Sequence, residues 1–541
     1  MKKLLLFIGL LICFKADAQP DIKHSIYLSD HHCLLRGAEN FNILNKVMQH
    51  SNGSIYGLRK RPQNVNGGMW DVQLYRYNAQ YDTIWTKIIG GSESDEIEFI
   101  HELPNGDLLL TGTTSSNDGD VPYGHTYSAK EIWVLRIDTN GTILKGVTFG
   151  GSNGSDLRGT ILSSDNYIYM AGGTIATDYD FTTPVGGWLD GNAWVAKMDM
   201  DLNLKWARVF IGNDLDEAGG VMELSNNKIV VSMGTGSTNI EMLGNQAKSV
   251  AGGDGIVFCI DSNKNTVWAK RYGCSTGSEL YKCVVSPDKQ RLCFVGISSK
   301  ADLDIQYQTT PFEFNQWILI TDTNGTILHS KAYGAIEGAM YLNDIAWHDN
   351  HLWILSRTQF GGGDVDYASP NPTRERTWLA MIDTNANLVA KYSMYFPTGN
   401  VSPQNLFKRG NDLYINLFAL APPAYPNNPF GCDTNRLVNT IYKIGLAPLS
   451  ISNTVKERRD ELFLLYPNPS SGTLTVDIND EKLNGGYIYR IVNIEGKLMK
   501  SGTWPRKKNK YDLNISEFPN GQYILIVENE TIISQQQFIK I

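Results

Sequence analysis

The sequence predicts an all-β protein, a seven-bladed β-propeller followed by a small Ig-like β-sandwich. A unit of two strands joined by a tight turn recurs seven times, and its copies begin 61 to 63 residues apart. The 541-residue chain contains 51 glycines and 26 tyrosines, and only 19% of its residues are charged. Short strands and tight turns repeated at a fixed period are typical of propellers.

Each copy of the unit opens with a strand that most often begins with tryptophan. The seven strands begin at Trp70, Trp133, Trp194, Ile256, Trp317, Trp378 and Thr440. Most run into a turn such as 138–141, where Asn-Gly predicts the two positive φ angles of a type I′ hairpin. Another hairpin lies between successive copies, so each period holds four strands, named A to D in chain order. A ring of such blades covers the faces that one blade alone leaves exposed.

The propeller is predicted over residues 41–452, after an N-terminal segment at 19–40. Its blades are predicted to begin near Phe41, Ile97, Leu157, Gly219, Leu280, Tyr341 and Pro403. The last blade has no clear strand D. Either residues 446–452 or the N-terminal residues 22–28 supply it, and the sequence leaves both possibilities open.

Residues 1–18 are predicted to be a signal peptide. Lys2 and Lys3 precede the apolar run 4–14, and 16–18 reads Ala-Asp-Ala, which fits a cleavage site. No later segment is long and apolar enough to predict a transmembrane helix. The formal net charge of -8 disfavours a nucleic-acid partner, because a phosphate-binding surface needs an excess of lysine and arginine.

Six cysteines follow the predicted cleavage site, and an exported chain permits disulfides. Cys283 and Cys293 lie on the two arms of one predicted hairpin, and Cys33 and Cys432 come from opposite ends of the repeat region. Each pair could form a disulfide or remain two buried thiols. No cysteine or histidine spacing fits a structural zinc site.

A charged linker is predicted over residues 453–461, followed by a second domain at 462–541. Its alternating apolar residues, separated by glycine and proline turns, predict a compact antiparallel sandwich. Its motif residues are Tyr466, Pro467, Asn468, Pro469, Gly472, Gly521 and Tyr523, and the chain ends on a basic-apolar strand. In this order, the domain resembles the type A C-terminal sorting domain of the Bacteroidetes type IX secretion system.

This resemblance implies an export route and a partner. The chain would cross the inner membrane through its signal peptide, and the secretion machinery would then recognise the folded tail at the outer membrane. In the family, the tail is usually removed and the cargo is attached to the cell surface or released. The repeat region also resembles regions that such cargo often carries, but the repeat has no assigned activity.

Paired polar side chains recur in the loops between strands B and C. The pairs are Asp118 and Asp120, Asp178 and Asp180, Asn239 and Glu241, Asp302 and Asp304, and Asp364 and Asp366. In an up-and-down blade, these loops share one face, the loop face, with the D–A loops. The D–A loops add Asp95, Asp156, Asp214, Asp216 and Glu279. The eight aspartates of the B–C pairs are candidate Ca²⁺ ligands, because Ca²⁺ takes six to eight oxygens. The alternative is that they accept backbone N–H groups and fix the shape of the loops.

Signals for enzymatic chemistry are few, and no catalytic or cofactor-binding residue is predicted. The nine histidines form no HExxH pattern, and no nucleophile elbow or phosphate loop is present. Trp188 and Tyr123 lie in predicted loops and are candidates for stacking against a glycan. The sequence therefore predicts a secreted or surface-attached, non-enzymatic module whose loop face binds a protein or a glycan. The alternatives are a surface glycan-active hydrolase or lyase, which needs close carboxylates at the channel mouth, and a purely structural surface component.

Overall fold

The computed structural model is built from β-strands, and its described part contains one short 3-10 helix, Tyr179–Phe181. The structure describes residues 24–36, 44–63, 69–122, 124, 129–182, 191–224, 227–245, 247–249, 253–308, 314–335, 338–359, 361–365, 375–394, 401–420, 437–448, 457–458, 463–478, 487–493, 498–504, 510–528 and 532–541. The predicted signal peptide, Asp366, Cys432, Trp188 and Tyr123 lie outside these ranges.

Seven four-stranded antiparallel units, blades 1 to 7, follow one another along the chain. Blade 1 comprises Leu44–Gln49, Ile55–Pro62, Trp70–Tyr77 and Thr83–Ile89. Blade 2 comprises Asp95–Glu102, Leu108–Thr114, Glu131–Ile137 and Ile143–Phe149. Blade 3 comprises Ser155–Leu162, Tyr167–Thr174, Asn192–Asp199 and Leu204–Phe210. Blade 4 comprises Asp216–Leu224, Lys228–Thr235, Asp254–Ile260 and Thr266–Tyr272.

The remaining blades follow the same plan. Blade 5 comprises Ser278–Val285, Leu292–Ser298, Asn315–Thr321 and Ile327–Tyr333. Blade 6 comprises Met340–His348, His351–Thr358, Arg376–Ile382 and Leu388–Met394. Blade 7 takes its first three strands from Val401–Arg409, Asp412–Leu420 and Leu437–Pro448. Two B–C loops carry short extra strands, Asn239–Ile240 with Gly244–Asn245 in blade 4, and Tyr307–Gln308 in blade 5.

The N-terminal strand His24–Arg36 supplies strand D of blade 7. It runs antiparallel to Leu437–Pro448, from His24 opposite Pro448 to Arg36 opposite Val438. Its first two residues also pair in parallel with strand D of blade 6. Of the two origins that the sequence left open, the N-terminal one is therefore correct, because residues 446–448 belong to strand C of the same blade.

Three buried asparagines of blade 7 join the end of the ring to strand A of blade 1. Asn405 Oδ1 accepts the Val47 N–H at 3.0 Å, and its Nδ2 donates to the Val47 carbonyl at 2.9 Å. Asn439 Oδ1 accepts the Leu44 N–H at 2.9 Å, and Asn416 Nδ2 donates to the Leu44 carbonyl at 2.7 Å. These side chains satisfy backbone groups that strand A would otherwise bury without partners.

Replacing Asn405 by alanine should lower the free energy of unfolding by about 2–6 kcal/mol. The substitution leaves the buried N–H and C=O of Val47 unpaired, and each such group costs about 1–3 kcal/mol. Urea denaturation of the purified chain measures the change. The exposed turn residue Asn385 is the control, and equal stability of N405A and N385A would contradict the role assigned to Asn405.

Every strand A carries a β-bulge at the same place. The pairing of strands A and B skips one residue in each blade, and the skipped residues are Asn45, Glu98, Arg158, Gly219, Tyr281, Asn343 and Gln404. A bulged residue has no partner in the ladder, and its side chain is re-aimed by the local bend. The repeat therefore places one such residue from every blade at an equivalent position.

The C–D turns differ from the predicted type I′ hairpins. In the turn that begins at Asp138, only Gly141 has a positive φ, 82°, and the Gly141 N–H donates to the Asp138 carbonyl. The Asp138 carboxylate accepts the N–H groups of Asn140 and Thr142. One left-handed residue after such a turn needs a less strict sequence than type I′. Lys264 and Ala386 occupy this position in two other blades.

The tryptophans that lead the strands pack between the blades. Trp133, Trp194, Trp317 and Trp378 are fully buried.

The four cysteines whose side chains are described, Cys259, Cys274, Cys283 and Cys293, are free thiols. Cys283 lies opposite Phe294 and Cys293 lies opposite Val284, so the two side chains point to opposite faces of the sheet and cannot form a disulfide.

The C-terminal domain has two sheets that share one hydrophobic core. The larger comprises Glu457–Arg458, Ile532–Lys540, Gly521–Glu528, Tyr487–Asn493 and Leu498–Trp504. The smaller comprises Phe463–Tyr466, Thr473–Ile478 and Lys510–Asn514. Glu457–Arg458 lies inside the predicted linker but pairs with the last strand of this domain. The Ig-like designation stays a prediction.

Candidate functional site

The paired aspartates of the B–C loops bind backbone N–H groups of the D–A loop that enters the same blade. The first aspartate accepts the N–H of a serine, in the pairs Ser92–Asp118 at 2.7 Å, Ser152–Asp178 at 2.7 Å and Ser275–Asp302 at 2.8 Å. The second accepts the N–H of a glycine, in the pairs Gly90–Asp120 at 3.3 Å, Gly150–Asp180 at 3.1 Å and Gly273–Asp304 at 3.0 Å. These bonds tie two loops of one blade together.

Blades 4 and 6 depart from this arrangement. Asp364 accepts the Gly334 N–H at 3.0 Å, which is the role of the second aspartate elsewhere. In blade 4, Asn239 begins a short hairpin, and Glu241 forms an ion pair with Arg208 at 2.8 Å. The sequence alignment of these two loops was therefore inexact, because loop length varies between blades.

Calcium binding by the eight aspartates stays a prediction. Within the described ranges, no three His, Cys, Asp or Glu side chains come close enough together to hold a metal ion. The observed hydrogen bonds agree with the alternative interpretation, in which the aspartates accept backbone N–H groups and fix the shape of the loops. Melting the protein with added calcium and with chelator measures the effect, and an unchanged melting temperature would reject a calcium role.

Two of the predicted D–A acids lie inside the fold. Asp95 and Asp216 begin strand A of blades 2 and 4 and are fully buried. Thr235 and Ser237 donate hydroxyl hydrogen bonds to Asp216, and Thr114 and Ser116 do the same for Asp95. Burial raises the pKa of Asp216 to about 6 and raises that of Asp95 as well. These two carboxylates therefore hold the loops in place from inside the fold and are not part of an exposed acidic ring.

In blades 2, 3 and 5, the residue between the two paired aspartates, the apex residue, has a left-handed backbone. Its φ is 65° at Gly119, 51° at Tyr179 and 49° at Leu303. Glycine adopts this conformation freely, whereas bulky residues adopt it at a cost. Tyr179 and Leu303 are nevertheless 53% and 62% exposed, so little burial of their side chains compensates for the strain.

Replacing Leu303 by glycine should therefore stabilise the propeller by about 0.5–1 kcal/mol. Relief of the left-handed backbone gains about 1–2 kcal/mol, and the greater freedom of glycine in the unfolded chain removes about half of that gain. Urea denaturation measures the shift. The reverse change, Gly119→Leu, should destabilise by a similar amount, and a destabilised L303G would show that the Leu303 side chain contributes to packing.

A cavity of about 1010 Å³ opens between the A strands at the centre of the ring. Its lining includes the bulged residues of blades 1 to 6, Asn45, Glu98, Arg158, Gly219, Tyr281 and Asn343. The site therefore arises from the bulges, and no alternation of apolar and polar residues in the sequence could have located it. This cavity is the candidate functional site.

Ion pairs join neighbouring blades, and each of the following except Lys130–Asp156 includes a residue that lines the cavity. They are Lys60–Glu96 at 2.7 Å, Lys130–Asp156 at 2.6 Å, Arg158–Glu217 at 2.8 Å and Lys282–Asp344 at 3.2 Å. Arg158 lies 59 residues before Glu217, and Lys282 lies 62 residues before Asp344. Aligning the repeats and searching for opposite charges one period apart would have found the last two pairs.

Apolar side chains are exposed at the same cavity. Tyr341 is 54% exposed, and the Arg357 guanidinium lies 5.2 Å from the centre of its ring. Phe314 and Leu215 also line the cavity and are 44% and 55% exposed. An exposed aromatic ring beside paired charges provides a face for stacking and groups for hydrogen bonding.

The motif residues of the C-terminal domain surround the end of its last strand. Asn468 Oδ1 accepts the Ile539 N–H at 2.9 Å, and its Nδ2 donates to the Gln537 carbonyl at 3.1 Å. The Tyr466 hydroxyl donates to Asp477 and accepts from Lys510. Cis peptide bonds precede Pro467 and Pro469. The Asn468 amide thus satisfies the backbone edge of the last strand.

The other motif residues serve the same domain. Tyr523 is buried against the rings of Phe518 and Phe538, and its hydroxyl donates to the Pro519 carbonyl at 2.7 Å. Gly521 begins the strand that carries Tyr523. The Gly472 carbonyl accepts the Ile515 N–H at 2.8 Å.

Residues 464–541 match the family described as "Secretion system C-terminal sorting domain". The resemblance to a type IX secretion sorting domain is therefore confirmed, and this domain directs export through the type IX secretion system to the cell surface or the extracellular space. Among the described residues, no helix has the length and apolar character needed to span a membrane.

Solved structures with a similar chain course include three distant proteins. Hydrazine synthase of Kuenenia stuttgartiensis is 13% identical, with a TM-score of 0.41 over 70% of this chain and 94% of that one. The periplasmic gluconolactonase of Pseudomonas aeruginosa is 12% identical, with a TM-score of 0.41 over 73% and 99%. The Pan2 WD40 domain of Neurospora crassa is 9% identical, with a TM-score of 0.40 over 81% and 99%. No curated protein matches the chain significantly.

Proposed function

From the premise that the C-terminal domain exports its cargo, we propose that the propeller is a non-enzymatic module that binds a glycan at the mouth of its central channel. The observation that supports this proposal is the cavity of about 1010 Å³. Charged side chains from several blades line it, together with the exposed ring of Tyr341. Sugars offer many hydroxyls and flat apolar faces, and this lining complements both.

The distribution of carboxylates favours binding over catalysis. A glycosidase needs two carboxyl groups held at a fixed separation across the scissile bond. The cavity carboxylates come from blades 2, 4 and 5, and Glu217 is held by Arg158. This arrangement distributes donors and acceptors around the channel instead of isolating one acid and base pair.

Affinity electrophoresis through gels that contain dextran, mannan, xylan or curdlan tests the proposal. We expect at least one polysaccharide to retard the wild-type chain, and Tyr341→Ala to abolish the retardation. Leu144→Ala is the matched control, because Leu144 is 50% exposed on an outer strand away from the cavity. Retardation that Y341A and L144A share equally would place the glycan elsewhere.

The same samples are assayed for new reducing ends or unsaturated sugars. Their release by the purified chain would establish the alternative, a glycan-active hydrolase or lyase. Failure of every polysaccharide to bind would reject the glycan proposal and direct attention to a protein ligand.

A further inference from the structure

Two charged side chains of the cavity lack the partners that their neighbours have. Lys60, Arg158, Lys282 and Arg357 line the cavity, and each forms an ion pair with a carboxylate. Among the residues that the structure describes, neither the Glu98 nor the Lys46 side chain makes a hydrogen bond or an ion pair. Among the described residues, Lys46 and Glu98 therefore have no direct ion-pair contact, although Asp344 and Glu98 attract Lys46 through space.

The fold brings these two residues to adjacent places. Glu98 is the bulged residue of strand A in blade 2, and Lys46 directly follows the bulged Asn45 in blade 1. The Lys46 Nζ lies 5.9 Å from the centre of the ring of Phe99, the next residue after Glu98. Both side chains line the cavity from neighbouring blades.

Burial without a direct ion pair is unfavourable for both charges. Burial lowers the pKa of Lys46, against the attraction of Asp344 and Glu98 and together with the repulsion of Lys282. Burial likewise raises the pKa of Glu98, against Arg158, Lys130 and Lys60 and together with Glu96. Those three basic neighbours are already bound to other carboxylates.

We propose that Lys46 and Glu98 together hold two adjacent hydroxyl groups of a sugar. One hydroxyl donates a hydrogen bond to the Glu98 carboxylate, and the neighbouring oxygen accepts one from the Lys46 ammonium. This inference rests on the proposed glycan function and assigns its polar contacts.

The chemistry of the pair selects a neutral ligand group with both a donor and an acceptor. A simple amine is attracted by Glu98 but repelled by Lys46, and a simple carboxylate meets the reverse. A vicinal diol satisfies both residues without adding charge, because each hydroxyl can donate and accept. Hydrogen bonds to charged groups are also the stronger ones.

The test compares polysaccharides that differ in their diols. Dextran, mannan and xylan keep adjacent free hydroxyls, whereas curdlan keeps none within its chain. Periodate oxidation followed by borohydride reduction cleaves the diols of a retained polysaccharide. We expect retardation by a diol-bearing polysaccharide, no retardation by curdlan, and loss of retardation after the periodate treatment.

The variants Glu98→Gln and Lys46→Met should each weaken retardation at least tenfold without lowering the melting temperature. Glu223→Gln and Lys205→Met are the matched controls, since neither residue lines the cavity. E98Q keeps the shape of the side chain, so it remains informative if K46M fails to fold.

Wild-type binding should also weaken as the pH falls through the raised pKa of Glu98, and E98Q should lose this dependence.

The possible results separate the two proposals. If E98Q and K46M bind as the wild type does while Y341A does not, the diol contact is wrong and the glycan function stands. Equal binding of curdlan, or displacement by free glycine but not by methyl glucoside, also overturns the diol contact. If no polysaccharide binds the wild type, the glycan function fails and the diol contact fails with it.

Discussion

Deletion of residues 24–36 is expected to prevent the propeller from folding. These residues form strand D of blade 7, and ten of them pair with Leu437–Pro448. Their loss leaves an unpaired strand at the point where the ring closes, and it also removes the short pairing with blade 6. We expect the deleted chain to lose the cooperative melting transition, because the missing contacts exceed the marginal stability of a folded domain, about 5–15 kcal/mol.

Differential scanning calorimetry of the deleted chain measures this effect. A synthetic peptide of residues 19–36, added in trans, provides the control, since it should restore the transition in a concentration-dependent manner. A scrambled peptide of the same composition should not. A deleted chain that melts at the wild-type temperature without peptide would show that another segment can supply the strand.

Replacing Gly172 by alanine is the second change with a large expected effect. A Cβ at this position of strand B in blade 3 would lie 1.9 Å from the Asp156 carbonyl oxygen. That oxygen belongs to the bulged strand A, so relief requires the backbone at the cavity wall to move. We expect a loss of about 3 kcal/mol or more, at the upper end of overpacking, together with weaker glycan binding.

Urea denaturation and affinity electrophoresis measure the two consequences of G172A. Gly112 and Gly296 hold the equivalent position in blades 2 and 5, with carbonyl oxygens at 1.9 and 1.8 Å, and alanine there should have the same effect. Gly154→Ala is the control, because its Cβ would meet only Lys130 Cβ at 3.9 Å. Similar stability of G172A and G154A would mean that the bulge adapts easily.

The sequence was sufficient for the repeat because local patterns determine it. A period of 61 to 63 residues with a turn after most C strands predicted strands A within three residues of their observed starts, such as Asp95 and Met340. The turn type was wrong because a single left-handed residue is enough, as Lys264 shows. The sorting motif was recognised because its residues occur in a specific order.

The candidate site could not be predicted because it depends on contacts between strands. The bulge at Glu98 is a slip in register between strands A and B, and an ordinary strand could have the same residues. Opposite charges one period apart, such as Lys282 and Asp344, can be found by aligning the repeats, but the sequence alone does not show that Lys46 and Glu98 lack a direct ion pair. The sequence did not indicate which asparagines close the ring, because residue type alone does not distinguish a buried asparagine from an exposed one.

The ring closes through the pairing of His24–Arg36, near the start of the chain, with Leu437–Pro448, near the end of the repeat region. The first of these strands emerges from the ribosome long before the second, and it must wait for more than four hundred residues before its partner exists. Such a high contact order makes closure a late step of folding. A chain cut short before residue 437 cannot complete it and carries no sorting domain, so incomplete copies lose the closed structure and the export signal together.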